Sequence, residues 1–281
     1  MGVELPQRLS SIPNAKKSIS ISSLSNYARF GHQISEYLLL YQYARRNDLI
    51  LETPEWVGHY FFDLDDPILS PYRFVTRKGQ GNLLRQKNRN NNVLPIVDTD
   101  IWSPGGQVEI WSPGDPVFSS NDRDEVQSRL KPRQIWMPYL QPALDKLNAT
   151  GKTIVALHLR RGDRVAMHDI TQTSLYLDWL AKIWPTLESP VLFIASDDID
   201  SVKSDFSLYQ PLSLYDLTEP WINNEYLQDF YILMNCDILG ISTGGFATNA
   251  SLLNKRARLF VVPSADNLSM IPFSPYGIQD N

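Results

Sequence analysis

The run Ile154-Val-Ala-Leu-His158-Leu-Arg160-Arg161-Gly162-Asp163 constrains the fold of this chain more than any other stretch. Its apolar half predicts a strand over residues 154–159 buried on both faces, as in parallel sheets. The polar half then falls at the strand's carboxyl end, where open α/β sheets hold their ligands. A guanidinium offers a planar fork of donors to phosphate oxygens, so two of them there predict a diphosphate site. The plainer reading is a structural pair between an arginine and Asp163. Arg161-Gly-Asp also spells an adhesion tripeptide, but that motif needs an exposed hairpin tip, not the end of a buried strand.

The same alternation continues to the C-terminus. Helix 174–184 precedes strand 191–195, which ends in Ser196-Asp197-Asp198. Leu212–Leu214 reads as a further short strand. Helix 226–235, strand 238–242, a Gly-Gly turn, helix 246–253 and strand 258–262 follow. Strands alternating with helices predict a parallel sheet with helices on both faces. Upstream, Ser18–Leu24 alternates Ile with Ser as a first strand. Ile34, Tyr37, Leu38, Tyr41 and Ala44 then recur at helical spacing before a strand at 49–51. Residues 54–121 are rich in Pro, Gly and Asn, with strands expected at 93–97 and 108–111 and a loop at 73–92. Helical pattern from 124 to about 147 is expected to break near Pro132, Pro138 and Pro142. A boundary is expected at Asn148-Ala-Thr-Gly151, giving an N-terminal α/β domain, 1–150, and a C-terminal one, 151–281.

Composition excludes several functions. With 26 basic and 31 acidic residues the net charge is −5, against nucleic-acid binding through bulk positive charge. The single cysteine, Cys236, rules out an internal disulfide and a Cys-rich zinc site, and its apolar neighbours predict a buried structural thiol. No apolar run reaches the length of a membrane span and residues 1–23 lack a signal-peptide core, so a cytoplasmic protein is expected. On that expectation the sequons at Asn148, Asn249 and Asn267 read as chance. His59 and His168 have no partners at metal-ligand spacing. Asp63-Leu-Asp65, Asp98-Thr-Asp100 and Asp122-Arg-Asp124 match the Asp-x-Asp pattern of metal-dependent transferases, a short pattern that arises readily. Only Asp98 follows an expected strand.

Four segments in order resemble the GDP-fucose-dependent fucosyltransferases, the α1,2 and α1,6 enzymes and the protein O-fucosyltransferases. His158-x-Arg160-Arg161-Gly-Asp163 is similar to the first signature of that superfamily. Arg29-Phe30-Gly31-His32-Gln33 is similar to its N-terminal Arg-Phe-Gly-Asn-Gln segment. Phe193-Ile-Ala-Ser-Asp197-Asp198 and Cys236-Asp-Ile-Leu-Gly-Ile-Ser-Thr243-Gly244-Gly245-Phe246 resemble the second and third. The resemblance implies a GT-B architecture, two Rossmann-like domains facing across a cleft. It implies an inverting, metal-independent glycosyl transfer with no cofactor, from a GDP-sugar, most simply GDP-fucose, to a glycan or protein hydroxyl. By the same resemblance the C-terminal domain holds the nucleotide-sugar and the N-terminal one the acceptor. Arg160 would stabilise charge on the departing diphosphate and His158 would hold the nucleotide. Asp197 would accept the paired donors of guanine. Thr243, Gly244, Gly245 and Phe246 would present helix-terminal amides to phosphate. Arg29, Gly31, Arg161 and Asp163 would complete the substrate contacts.

Two departures bear on chemistry. Gly244-Gly245 stands where the family carries Ser-Ser, so phosphate binding there depends on backbone amides, helped by Thr243 or Thr248. His32 replaces the family's Asn. Histidine accepts a proton at neutral pH and asparagine does not, so His32 is a candidate base alongside a purely structural role, with Glu36 and Asp163 in reserve. Trp56, Trp102 and Trp111 are candidate sugar-stacking rings or core residues. Another nucleotide-sugar donor, such as a UDP-sugar, and a non-catalytic nucleotide- or glycan-binding module remain the alternatives.

Overall fold

The computed structural model describes residues 18–20, 24, 29–68, 76–77, 107–109, 118–162 and 170–277. Asp163, His168, Asp98, Asp100, Trp102, Trp111, the 78–92 stretch and the strand expected at 93–97 lie outside the described residues. The chain divides into two compact units, Met1–Tyr60 with Leu64–Val117, and Phe61–Asp63 with Phe118–Asn281.

In the first unit, β1 (Ser18–Ser20), β2 (Ile50–Glu52), β3 (Thr76–Arg77) and β4 (Gln107–Glu109) form an all-parallel sheet in the order β2-β1-β4-β3. Helix α1 (Phe30–Arg46) packs on β1 and β2. Its Ile34, Tyr37, Leu38 and Leu40 are wholly buried, and Arg45 and Arg46 in its last turn favour the negative end of the helix dipole. The turn that follows runs through Asp48 at φ 50°, and α2 (Val57–Phe61) comes after β2.

The second unit holds β5 (Thr153–Leu159), β6 (Pro190–Ser196), β7 (Ile238–Gly240), β8 (Leu259–Pro263) and β9 (Met270–Pro272). Their order is β6-β5-β7-β8-β9; the first four are parallel and β9 closes the edge as an antiparallel hairpin with β8. After β5 the chain goes to β6 on one side, then returns past β5 to β7 on the other. The carboxyl ends of β5 and β7, where the order reverses, are where sheets of this kind hold ligands. Helices α3 (Arg123–Arg129), α4 (Met137–Thr150), α5 (Thr173–Ile183), α6 (Glu225–Leu233) and α7 (Gly245–Leu253) surround the sheet. Every residue of β5 is buried. Val155, Leu157 and Leu159 alternate onto one face, in a core with Tyr176, Trp179 and Leu180 of α5.

Three expectations change. The boundary expected near residue 150 falls inside the second unit, because α4 packs on β5, α6 and the short helix Leu214–Leu217. Leu212–Leu214 is not a strand. Leu212 makes a single bridge to Phe193, and the Ser213/Asp216 capping box starts that short helix two residues later. Of the three prolines, Pro132 lies where the helices part, whereas Pro138 sits in the first turn of α4 and Pro142 is carried within it.

Candidate functional site

The carboxyl ends of β5 and β7 bring the sequence-predicted residues of the second unit together. His158 is the last residue but one of β5, on the face opposite Leu157 and Leu159, and is only 8% exposed. Its Nδ1 lies 2.9 Å from Ser242 Oγ, and its ring packs 5.1 Å from that of Phe246 on α7. Burial, opposed by Asp197 and reinforced by Arg160 and Arg161, lowers its pKa to about 4. The imidazole is therefore neutral at ordinary pH, a hydrogen-bonding group rather than a cation.

The two arginines part company. The Arg161 guanidinium is buried, donating through Nη1 to the Arg160 carbonyl at 3.1 Å and through Nη2 to Thr173 Oγ1 at 3.0 Å. Desolvation lowers its pKa, and nearby Tyr176 and Asp197 partly counteract that. Its backbone N–H donates to Asp197 Oδ1 at 2.6 Å, which ties the loop after β5 to the loop after β6. Gly162 is needed for that tie, since a β-carbon there would stand 2.6 Å from Asp197 Oδ2. Arg161 thus builds the loop. Arg160 is half-buried and turns instead to the β7–α7 turn, its Nη1 3.1 Å from where a β-carbon on Gly244 would lie.

Gly244 precedes α7 at φ 128°, a conformation that favours glycine. This accounts for its presence where hydroxyl residues were expected. Gly245 and Phe246 open the helix and Thr243 is exposed. Thr248 Oγ1 donates to the Gly244 carbonyl at 3.0 Å, so this hydroxyl braces the turn.

Asp229 on α6 is a residue the sequence reading missed. Its Oδ1 is shut off from solvent and has no hydrogen-bond partner among the described residues, and burial, aided by Glu225, raises its pKa to about 8. The next residue, Phe230, packs 5.2 Å from Phe246, the same ring that meets His158. An acid within the apolar run Leu227-Gln-Asp-Phe-Tyr-Ile-Leu233 was the available signal.

In the first unit the Arg29 carbonyl accepts the amides of His32 at 2.9 Å and Gln33 at 3.1 Å, starting α1, and the Gly31 carbonyl accepts Ser35 Oγ at 3.3 Å. His32 Nε2 lies 3.1 Å from Glu36 Oε1; the histidine side chain is 41% exposed and the glutamate 1%. Trp56 is a core residue, 2% exposed and packed 5.3 Å from Tyr37. His59 Nε2 lies 3.3 Å from Thr53 Oγ1. Asp122 closes a capping box with Ser119. Among the described residues no group of three His, Cys, Asp or Glu is arranged to hold a metal ion, and no helix is long and apolar enough to cross a membrane. Cys236 is buried, its thiol pushed up to about 12 by desolvation and Asp237.

No protein-family model matches the chain, and no curated protein matches it. Solved structures do. The α1,6-fucosyltransferase NodZ co-crystallised with GDP superposes with a TM-score of 0.60 at 14% identity, over 93% of this chain and 100% of that one. Fucosyltransferase NodZ from Bradyrhizobium gives 0.60 at 12%, over 92% and 99%. POFUT1 in complex with GDP gives 0.57 at 13%, over 88% and 98%. The chain therefore carries the α/β fold of the GDP-fucose-dependent fucosyltransferases represented by NodZ and POFUT1.

Proposed function

We propose that the chain is an inverting, metal-independent glycosyltransferase of GT-B architecture. It moves a sugar, fucose in the simplest case, from a GDP-sugar to a hydroxyl of a glycan or protein. The observation that carries this reading is the approach of the Arg160 guanidinium to the Gly244 turn, where α7 begins. A cation and the positive end of a helix dipole converge there. A leaving diphosphate needs that charge stabilisation.

The second unit is the nucleotide side. Arg160 neutralises charge as the bond to the diphosphate breaks, and the Gly244-Gly245-Phe246 amides, with Thr243, hold phosphate oxygens. His158, neutral and fixed by Ser242, offers a hydrogen bond to the nucleotide. Guanine presents an N–H and an amine side by side, which one carboxylate accepts. Asp197 is one candidate for that contact, although one of its oxygens already accepts from Arg161. Asp229 is a second candidate: its buried Oδ1 has no hydrogen-bond partner among the described residues, its neighbour Phe230 meets Phe246, and it would take guanine's donors on losing its proton. Arg161 supports the loop around Arg160, and Asp163 adds a substrate contact.

The first unit is the acceptor side, with Arg29 and Gly31 at the substrate and His32 as the base. Heat-shift titration with GDP, UDP and their sugars tests the reading, because a ligand that binds only the folded state raises its melting temperature. GDP and GDP-fucose are expected to shift it and UDP is not. A larger shift with UDP overturns the donor, and binding without hydrolysis or transfer of any donor overturns the enzyme in favour of a binding module.

A further inference from the structure

We propose that Glu36 is the positioning residue for His32, forming with it a carboxylate–imidazole pair that makes Nδ1 the proton acceptor. This rests on the glycosyl-transfer reading above. The residues stand one turn apart on α1, so their side chains meet on one face. Glu36 is 1% exposed, and among the described residues neither of its oxygens accepts a hydrogen bond. Its one ion-pair partner there is His32 Nε2 at 3.1 Å. A buried carboxylate without donors is costly, and the imidazole nitrogen 3.1 Å away is the group placed to relieve that cost by turning its N–H to it.

The tautomer follows. With the proton on Nε2 toward Glu36, the neutral ring carries its lone pair on Nδ1. His32 lies in the first turn of α1, where the helix dipole disfavours an imidazolium. The carboxylate opposes that penalty. In the transfer step the acceptor oxygen bonds to the sugar's anomeric carbon while the bond from that carbon to the diphosphate oxygen breaks. The electron pair of the broken bond stays on the diphosphate. The acceptor's proton passes to Nδ1, and the resulting imidazolium remains beside Glu36 until water removes the proton.

Among the described residues, the two strands packed on α1 bring no cation. β1 is Ser18-Ile19-Ser20 with nothing ionisable, and β2 brings the acid Glu52. Asp66 accepts from the Tyr37 hydroxyl at 2.6 Å. Arg29, just before α1, is exposed.

The experiment compares the full-length wild type with Glu36→Gln and Glu36→Asp. The His32 ring is titrated by NMR, its resonance identified by its loss in His32→Gln, and transfer rates are followed over about pH 5 to 9. Glu36→Gln is expected to lower the His32 titration by about one pH unit and to move the acidic limb of the rate profile down with it. It is expected to reduce kcat about 10- to 100-fold with donor KM changed less than about two-fold. Glu36→Asp, which keeps the charge, recovers part of both. A His32 titration that stays put in Glu36→Gln overturns the pair, as does a loss of rate that appears only in donor KM. If Glu36→Gln does not fold, an unchanged His32 titration and rate profile in Glu36→Asp overturns the pair, and a partial shift of both supports it. Wild type that turns over no nucleotide-sugar overturns the glycosyl-transfer reading and the pair's catalytic role with it. Normal turnover with an unmoved titration overturns the pair alone.

Discussion

The Arg160 guanidinium rests against Gly244, so closely that a β-carbon on the glycine would stand 3.1 Å from Nη1. Gly244→Ser meets two obstacles, a φ of 128° that L residues rarely adopt and the guanidinium itself. The substitution is expected to cost about 1–3 kcal/mol of stability and to weaken GDP binding. Gly245→Ser, whose backbone does not have a positive φ, is the control. Melting curves with and without GDP read both effects, and equal behaviour of the two variants removes the special status of Gly244.

Arg160→Ala is expected to lower donor turnover about 10²- to 10³-fold with little change in melting temperature. Arg161→Ala is expected to do the reverse first, destabilising by about 1–3 kcal/mol through the lost bonds to the Arg160 carbonyl and Thr173. Single-turnover rates beside thermal melts separate them. A stable Arg161→Ala that has lost turnover contradicts the division of labour.

His158 titrates at about 4 in the folded chain against 6.5 ordinarily. As pH falls, the unfolded chain takes up the proton first. Its contribution to stability is complete above about pH 6.5 and declines down to pH 4, by about 3 kcal/mol in all. His158→Gln is expected to remove this acid-side slope, measured by denaturant unfolding at stepped pH. An unchanged slope means that the ring is not held neutral.

Asp229 works in the opposite sense. Its carboxyl is raised from 3.8 to about 8, so its contribution is complete below pH 3.8 and is lost as pH rises toward 8. Between pH 4 and 6.5 it offsets the His158 slope, and the two are visible only in single variants. Asp229→Asn is expected to raise stability by about 1–3 kcal/mol near pH 8. The same change is expected to weaken GDP binding at least about ten-fold by calorimetry, a loss of about 1.4 kcal/mol. GDP binding as tight as wild type removes Asp229 from the nucleotide site.

Much of the second unit was legible in sequence because β5 and β6 are continuous apolar runs that only a doubly covered parallel sheet accepts. The arginine pair was legible for the same reason, since a buried strand dictates where its polar end emerges. The different tasks of Arg160 and Arg161 needed coordinates, because Thr173 and Gly244 meet them from distant parts of the chain. Asp229 was hidden by looking like the polar stripe of an ordinary amphipathic helix. The edge strand β9, with Ile271 and Pro272 exposed, lacks the periodicity that marks a core strand. Asn148–Gly151 looks like a linker in sequence but is the last turn of α4 and its cap, and helix ends occur within domains as well as between them.

The bond from the Arg161 amide to Asp197 makes the crown of the sheet a stitched seam rather than a set of independent loops. Arg161 is the stitch, through its main chain, and its neighbour Arg160 is the hand. Both follow the last residue of β5 directly, so their places depend on the register of that strand. A shift of one residue anywhere in that strand would displace them both. The chemistry of the site is therefore anchored to strand register several residues away from any ligand.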